Sequence, residues 1–302
     1  MTKAIFVTGA SSGIGYALAT DLASKGHRVY ATVRTPEDEM RLDQTENIYP
    51  LMLDVRDRAQ IEESRRIIVG ERMGLYGIVN NAGVGPIGPL HTFTDKEMLD
   101  LFETNVFGPF RMTNAFLDLL LESKGRIVNI GSQGGSVSMA YYGPYTMTKH
   151  ALEAYSVALG AELQPYGVFV SIVQPGGIIS EIGAKMALGN LTRFRRASPP
   201  FEEAAKQVIA ALEMPTSFDV SKPESATNRN PSSPDIVIEA VTHALFSEHP
   251  KPRYLVGTRW EGNRVINMLL ERLADVNQCK TLQYSRDELV DWLDKKLSEC
   301  SD

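Results

Sequence analysis

Along the chain, short runs of apolar and β-branched residues alternate with longer stretches whose apolar positions recur every three or four residues. The short runs cover residues 4–8, 28–33, 49–55, 77–80, 126–130, 169–173 and 253–256. They are nearly continuous rather than alternating, which is the pattern of parallel strands buried on both faces. After the first run, Ile14, Leu18 and Leu22 fall at i, i+4 and i+8, and Gly26 stands where a left-handed residue would end a helix. A second helix is predicted to start at Thr35-Pro36-Glu37-Asp38, with Thr35 as cap, Pro36 at the first helical position and the acids in the first turn. Longer helices are expected over 105–123 and 144–163. Seven strands alternating with six helices predict an α/β fold, a Rossmann-type doubly wound parallel seven-stranded sheet.

One stretch breaks the alternation. From Arg193 to Pro234 the chain is rich in Pro, Ser, Thr and Asn, and it reads as an excursion carrying a helix over 201–213. The run at 253–256 then completes the sheet. Residues 263–274 and 285–297 read as two terminal helices, the second with an apolar stripe of Leu289, Trp292, Leu293 and Leu297 suited to packing on the body or on a second subunit. Residues 1–302 are thus expected to form a single domain, with 177–234 as a substrate lid and 260–302 as a C-terminal helical extension.

Composition narrows the function classes. Of 302 residues, 43% are hydrophobic and 23% charged, as in a soluble folded protein. The net charge of −6, with no long basic run, argues against nucleic acid or an anionic membrane as partner. Two cysteines, Cys279 and Cys300, make no disulfide scaffold, and the five histidines show no paired metal spacing. The first apolar run is cut by Thr8-Gly9, short of the roughly 7–15 apolar residues of a signal peptide, and no stretch nears the ~20 that span a bilayer. A cytoplasmic protein is expected.

The candidate chemistry starts where the first strand meets the first helix. In Thr8-Gly9-Ala10-Ser11-Ser12-Gly13-Ile14-Gly15, Gly9 permits a tight turn, Gly13 lets the backbone approach a pyrophosphate, and Gly15 lets helix and strand pack closely. The phosphates would meet the free N–H groups of the helix N-terminus. Further on come Asn80-Asn81-Ala82-Gly83, then Asn105, Ser132 at the end of the fifth strand, Tyr145-Thr146-Met147-Thr148-Lys149, and Pro175-Gly176 after the sixth strand. Asn81, Asn105, Ser132, Tyr145 and Lys149 are separated by 24, 27, 13 and 4 positions. This set, in this order, resembles the short-chain dehydrogenase/reductase family over about residues 4–180. A looser echo lies at Pro252-Arg253-Tyr254-Leu255-Val256-Gly257, and with Ala31-Thr32-Val33-Arg34 it resembles the hydroxysteroid and retinol dehydrogenase branch.

Residue chemistry agrees with the resemblance. Reducing a ketone needs a hydride donor and an acid for the developing alkoxide. A tyrosine with an ordinary pKa of about 10 is a poor acid–base group near neutrality. Tyr145 and Lys149 share a helix face, so the lysine cation is expected to lower the tyrosine pKa, as would an oxidised nicotinamide. Ser132 can hydrogen-bond the substrate oxygen. The resemblance implies that Lys149 also binds the nicotinamide ribose and that Asn105 holds a water linking Lys149 to solvent. It further implies that Asn81, Ala82 and Gly83 line the adenosine side, that Asp54 and Val55 contact adenine, and that Ile178 and Ser180 meet the carboxamide. Two departures stand out: Gly131 where the family often has Ser, and Ser180 where it commonly has Thr.

Cofactor choice is read at the end of the second strand. NAD enzymes place an acid there for the adenosine ribose. Here Val33 holds that place and Arg34 follows, with Ser11 and Ser12 on the facing loop. An arginine fork suits a phosphate monoester, so NADP(H) is expected over NAD(H); stacking of Arg34 on adenine is the alternative. The segment 177–196 is rich in apolar residues, among them Ile178, Ile182, Met186 and Phe194, and is either an apolar lid or an ordinary packed helix. The expected substrate contacts are Ser132, Tyr142, Tyr145, Gly177, Ile182 and Met186, with Tyr141 and Tyr142 as pocket wall or surface loop. Arg193, Arg195 and Arg196 form either an anion-attracting patch or a solvated face. The reading is an oxidoreductase interconverting a hydrophobic secondary alcohol and its ketone or aldehyde, in a homodimer or homotetramer. A double-bond reductase, an epimerase or dehydratase, and a non-catalytic NADP(H) sensor are the alternatives.

Overall fold

The computed structural model describes residues 2–180, 182–213 and 231–299, and leaves aside the side chains of 182–185. Seven strands form one sheet: β1 (Ala4–Val7), β2 (Arg28–Val33), β3 (Ile48–Met52), β4 (Gly77–Asn80), β5 (Arg126–Ile130), β6 (Phe169–Pro175) and β7 (Arg253–Val256). Their order is β3-β2-β1-β4-β5-β6-β7, and every pairing is parallel. Chain direction across the sheet therefore reverses between β1 and β4, and a crevice opens beyond their carboxyl ends.

Each apolar residue of the central strands β1, β4 and β5 faces one of two cores, which explains their unbroken apolar runs. Ile5 and Val7 join Val29, Val79, Val128 and Val173 beneath α1 (Gly13–Ser24) and α9 (Asp235–Phe246). Phe6 joins Ile78 and Ile127 on the other face, beneath α3 (Arg58–Gly70) and α5 (Gly108–Glu122). Helix α1 ends at Ser24, with Gly26 at φ +80 as expected. Helix α2 (Pro36–Asp43) opens on Thr35, whose side chain accepts the Asp38 N–H. A capping box of Thr94 and Glu97 opens α4 (Asp95–Phe102).

Two elements differ from expectation. The helix predicted over 105–123 begins with a π-helical turn, Glu103–Phe107, and α5 itself starts at Gly108. Helix α9 is not among the expected elements, although Val237, Val241 and Leu245 lie at i, i+4 and i+8 and are buried. It follows directly on the Pro-rich excursion, whose composition masks its start. Helix α6 (Gly143–Leu163) is as expected, α7 (Ile182–Arg195) runs up to the start of the excursion, and α8 (Glu202–Glu213) is the helix expected within it. Residues 214–230 and Cys300 lie outside the described residues. The chain divides into two compact units, Met1–Gly262 and Asn263–Asp302. Helix α10 (Arg259–Val276) runs from the first into the second, which also holds α11 (Arg286–Glu299). Within that second unit Tyr284 packs edge-on against Trp292. No described helix is long and apolar enough to cross a membrane.

Candidate active site

The turn after β1 is held open by its glycines and tied down by its neighbours. Gly9 and Gly13 adopt φ of +67 and +57, a region that suits glycine. A Cβ on Gly9 would lie 2.9 Å from Ala82 Cα, and one on Gly15 would overlap the Gly9 carbonyl oxygen and Asn81 Nδ2. Thr8 Oγ1 accepts the backbone N–H groups of Asn81 and Ala82, both at 2.9 Å. The Asn81 side chain returns bonds to the carbonyls of Thr8 and Gly9 at 2.9 and 3.0 Å. Thr8 is not recognisable from the sequence, because a lone threonine before a glycine turn carries no signal of a partner on a distant strand.

Above this floor lies a cavity of about 340 Å³. Arg34, Asp54 and Val55 line one end; Ser11, Ser12, Gly13, Ile14 and Asn81–Gly83 line the middle; Ser132, Tyr145, Lys149, Pro175, Gly176, Ile178, Ser180 and Met186 line the other end. Thr32, Leu53, Val84 and Thr104, which no sequence motif singles out, also line it. Other expected residues lie elsewhere. Gly15 is packed beneath the turn, while Tyr142 and Gly177 do not reach the cavity wall. Tyr142 stays 37% exposed at the mouth of α6, and the Gly177 N–H is engaged by Glu261 Oε1 at 2.6 Å. The Ile182 side chain lies outside the described residues.

At the far end, Ser132 leaves β5 in an extended conformation and its Oγ accepts the Gly134 N–H at 3.0 Å. Burial raises the Tyr145 pKa above the ordinary phenol value, and a hydrogen bond with Ser132 works in the opposite sense. Lys149 is buried and donates to the Ile130 carbonyl at 2.8 Å. Burial pulls its pKa down to about 8, with Glu153 opposing. The expected depression of Tyr145 by Lys149 is therefore not what the structure shows. The ammonium sits 5.8 Å from the centre of the Tyr145 ring and is turned toward Ile130, so desolvation governs the phenol.

Asn105 also differs. Buried in the π-helical turn, it does not line the cavity. Its Oδ1 accepts the Val84 N–H at 2.9 Å, and its Nδ2 donates to the Val84 carbonyl at 2.8 Å and to Thr148 Oγ1 at 3.0 Å. Its side-chain N–H groups brace the loop after β4 against α6, so a relay water would be held by the second lone pair of Oδ1 or by the backbone carbonyl rather than by Nδ2. The Gly131 departure has a cause: a Cβ there would meet the Ile172 side chain at 2.9 Å.

At the near end, Asp54 pairs with Arg56 at 2.7 Å, which holds its carboxyl below the usual range. Arg34 is exposed at the rim. Arg41, which no motif marks, donates to the Ser11 carbonyl at 2.5 Å and pairs with Asp38 at 2.7 Å. Of the three arginines of the excursion, Arg195 and Arg196 are solvent-exposed and Arg193 is shielded, and all three are tied up in ion pairs rather than gathered into an anion trap. Arg193 and Arg196 both pair with Glu97 of α4, at 3.2 and 2.8 Å, and Arg195 pairs with Glu213 at 2.9 Å. Phe194 is fully buried against Tyr141. Helix α7 is thus pinned at its C-terminal end, while Met186 faces the cavity.

The chain matches the short chain dehydrogenase family over residues 3–190. It is 32% identical to the mitochondrial D-beta-hydroxybutyrate dehydrogenase of Bos taurus, covering 84% of this chain and 76% of that one. It is also 32% identical to 17-beta-hydroxysteroid dehydrogenase type 6 of Mus musculus, covering 84% of this chain and 80% of that one. A solved structure, a point variant of actinorhodin polyketide ketoreductase with NADPH, superposes with a TM-score of 0.70 at 27% identity, covering 86% of this chain and 97% of that one. The chain belongs to the short-chain dehydrogenase/reductase family and is an oxidoreductase acting on CH–OH groups with a nicotinamide cofactor. The residues present fit that cofactor. A side chain on Gly9 would press on Ala82 and one on Gly15 on the Gly9 carbonyl and Asn81, deforming the floor of the cradle, and Ser12, Gly13 and Ile14 at the start of α1 line the cavity with its free N–H groups.

Proposed function

We propose that the protein interconverts a hydrophobic secondary alcohol and its ketone, or the corresponding aldehyde, with NADP(H) as redox partner. The observation that carries this reading is one cavity with Ser132, Tyr145 and Lys149 at one end and Arg34, without a competing acid from β2, at the other. Gly9–Ile14 and Asn81–Gly83 would hold the cofactor along its length, Arg34 with Ser11 and Ser12 at the 2′-phosphate, and Lys149, Ile178 and Ser180 at the nicotinamide. The bound nicotinamide supplies hydride-transfer chemistry.

The protein's own task is the proton. In reduction, the Tyr145 hydroxyl gives its proton to the substrate oxygen as charge develops there, while the Ser132 hydroxyl donates a hydrogen bond to the same oxygen. A raised Tyr145 pKa suits this direction, since the phenol arrives protonated. In oxidation, Tyr145 must accept a proton, and Lys149 stabilises the phenolate by turning its ammonium from Ile130 toward the ring.

A hydrophobic substrate is favoured by what lines the reacting end. Val84, Ile178 and Met186 are apolar, and among the described lining residues the charged ones are Arg34, Asp54 and Lys149. Apart from Lys149, none stands where a substrate carboxylate would need a partner. A homo-oligomer is supported by Phe110 on α5 and Met147 and Val157 on α6, all exposed in the single chain.

Fluorescence titration with NADPH and NADH side by side tests the cofactor assignment. NADPH is expected to bind more tightly, and Arg34→Leu should weaken NADPH by about tenfold while sparing NADH. Tighter binding of NADH would overturn the assignment. A screen of bulky ketones then tests the substrate class.

A further inference from the structure

Helix α6 carries Tyr145, Lys149 and Glu153 at intervals of four residues, so the three side chains rise from one face. The proton chemistry above makes no use of Glu153, yet it is buried, with 8% exposure. Its Oε1 accepts a hydrogen bond from Gln174 Nε2 on β6 at 2.5 Å, and its Oε2 accepts from Arg253 Nε and Nη2 on β7 at 3.2 and 3.0 Å. Gln174 is itself buried and also donates to Ser136 Oγ at 2.8 Å. A Cβ on Gly135 would lie 2.9 Å from Glu153 Cγ and 2.9 Å from the Lys149 carbonyl oxygen, so the turn after β5 closes over this stretch of helix.

Burying a carboxylate is costly, and an ion pair with an arginine that is 49% exposed offsets little of that cost. A second buried charge lies one turn back on the same helix. Lys149 is buried too, and its hydrogen bond goes to a neutral carbonyl on β5. Around the two groups, the described residues place Tyr145 on the same helix, Ile130 on β5, Gly83 after β4, Gln174 on β6 and Arg253 on β7. Glu153 is the acidic member of that set and Arg253 the other basic one.

We propose that Glu153 is a positioning residue. From one helical turn beyond Lys149, its buried carboxylate keeps that amine in its ammonium form, and Arg253 on the edge strand sets how strongly it does so. The inference rests on Lys149 as the group that supports Tyr145, and thereby deepens the functional reading. It gives β7, the edge strand of the sheet, a direct electrostatic route to the reacting end.

The test needs no substrate. Full-length protein carrying carbon-13 at lysine Cε is titrated by NMR, the Lys149 resonance being assigned by its absence in Lys149→Arg. Glu153→Gln keeps the shape and should lower the Lys149 midpoint by about one pH unit. Arg253→Met removes the opposing cation and should move the midpoint the other way. A purely structural role would move both variants in the same direction or neither. An unchanged midpoint in Glu153→Gln, or a common direction for the two variants, overturns the proposal. Failure to bind either dinucleotide would instead count against the functional reading and leave these midpoints where they are.

Discussion

Tyr145 and Lys149 are one turn apart, but in this structure the lysine looks away from the phenol, toward Ile130. Tyr145→Phe should lower turnover by a factor of about 100 or more while leaving NADPH affinity within twofold, because the ring still packs and only the proton is lost. A variant retaining full rate would show that another group carries the proton. Lys149 also bears on stability. Its folded pKa of about 8 lies below its ordinary value of 10.5, so between these values the unfolded chain binds more protons. Stability from this group is therefore lowest below pH 8 and recovers as pH rises toward 10.5. Relative to Lys149→Met, the wild type should gain about 3 kcal/mol across that window in urea unfolding. At the end of β5, Gly131→Ser should cost about 1–3 kcal/mol, read from the urea midpoint, since its Cβ meets Ile172. Ser132, Tyr145 and Lys149 were singled out because their order and spacing resemble those of the short-chain dehydrogenase/reductase family, and the structure brings all three to one cavity. Their charge states were not legible, because desolvation depends on packing from β5 and the loop after β4, which no local pattern reports.

Among the elements, strands were the most legible, since a run apolar on both faces has few other uses. Strand β6 extends to Pro175, two residues past the expected end, because Gln174 and Pro175 still pair with β7. The π-helical turn before α5 was not legible: its residues keep helical periodicity, and only the bond from Asn105 to Val84, 21 positions away, marks the change. The pinning of α7 was hidden for the same reason. Glu97 looks like an ordinary capping-box acid, and the arginines it holds lie roughly a hundred residues later. Glu97→Gln should therefore loosen the C-terminal end of α7 and leave the cap acceptor of α4 in place. We expect the substrate KM to rise several-fold with kcat little changed, and the protection of α7 amides against hydrogen exchange to fall. An unaltered exchange pattern in α7 would mean that Phe194, Asn190 and Arg195 anchor the helix without Glu97.

For the whole molecule, the sheet order accounts for where the site is. The reversal between β1 and β4 puts the glycine turn beside Asn81–Gly83, and the bonds of Thr8 and Asn81 lock the two loops together. The same order has a consequence for biosynthesis. When the first quarter of the chain leaves the ribosome, β1, β2 and β3 can pair with one another, but one flank of β1 has no neighbour until residues 77–80 emerge. Over that interval the nascent chain offers an open, wholly apolar edge with Ile5, Phe6 and Val7 at its margin, a ready template for another nascent chain. Release of a fragment ending at Tyr76 should give aggregates, and one extended through the partner strands β4 and β5 should be recovered in larger soluble yield. A chaperone that shields the first strand would then be needed most during a window set by about seventy residues of translation, before any cofactor has a floor to rest on.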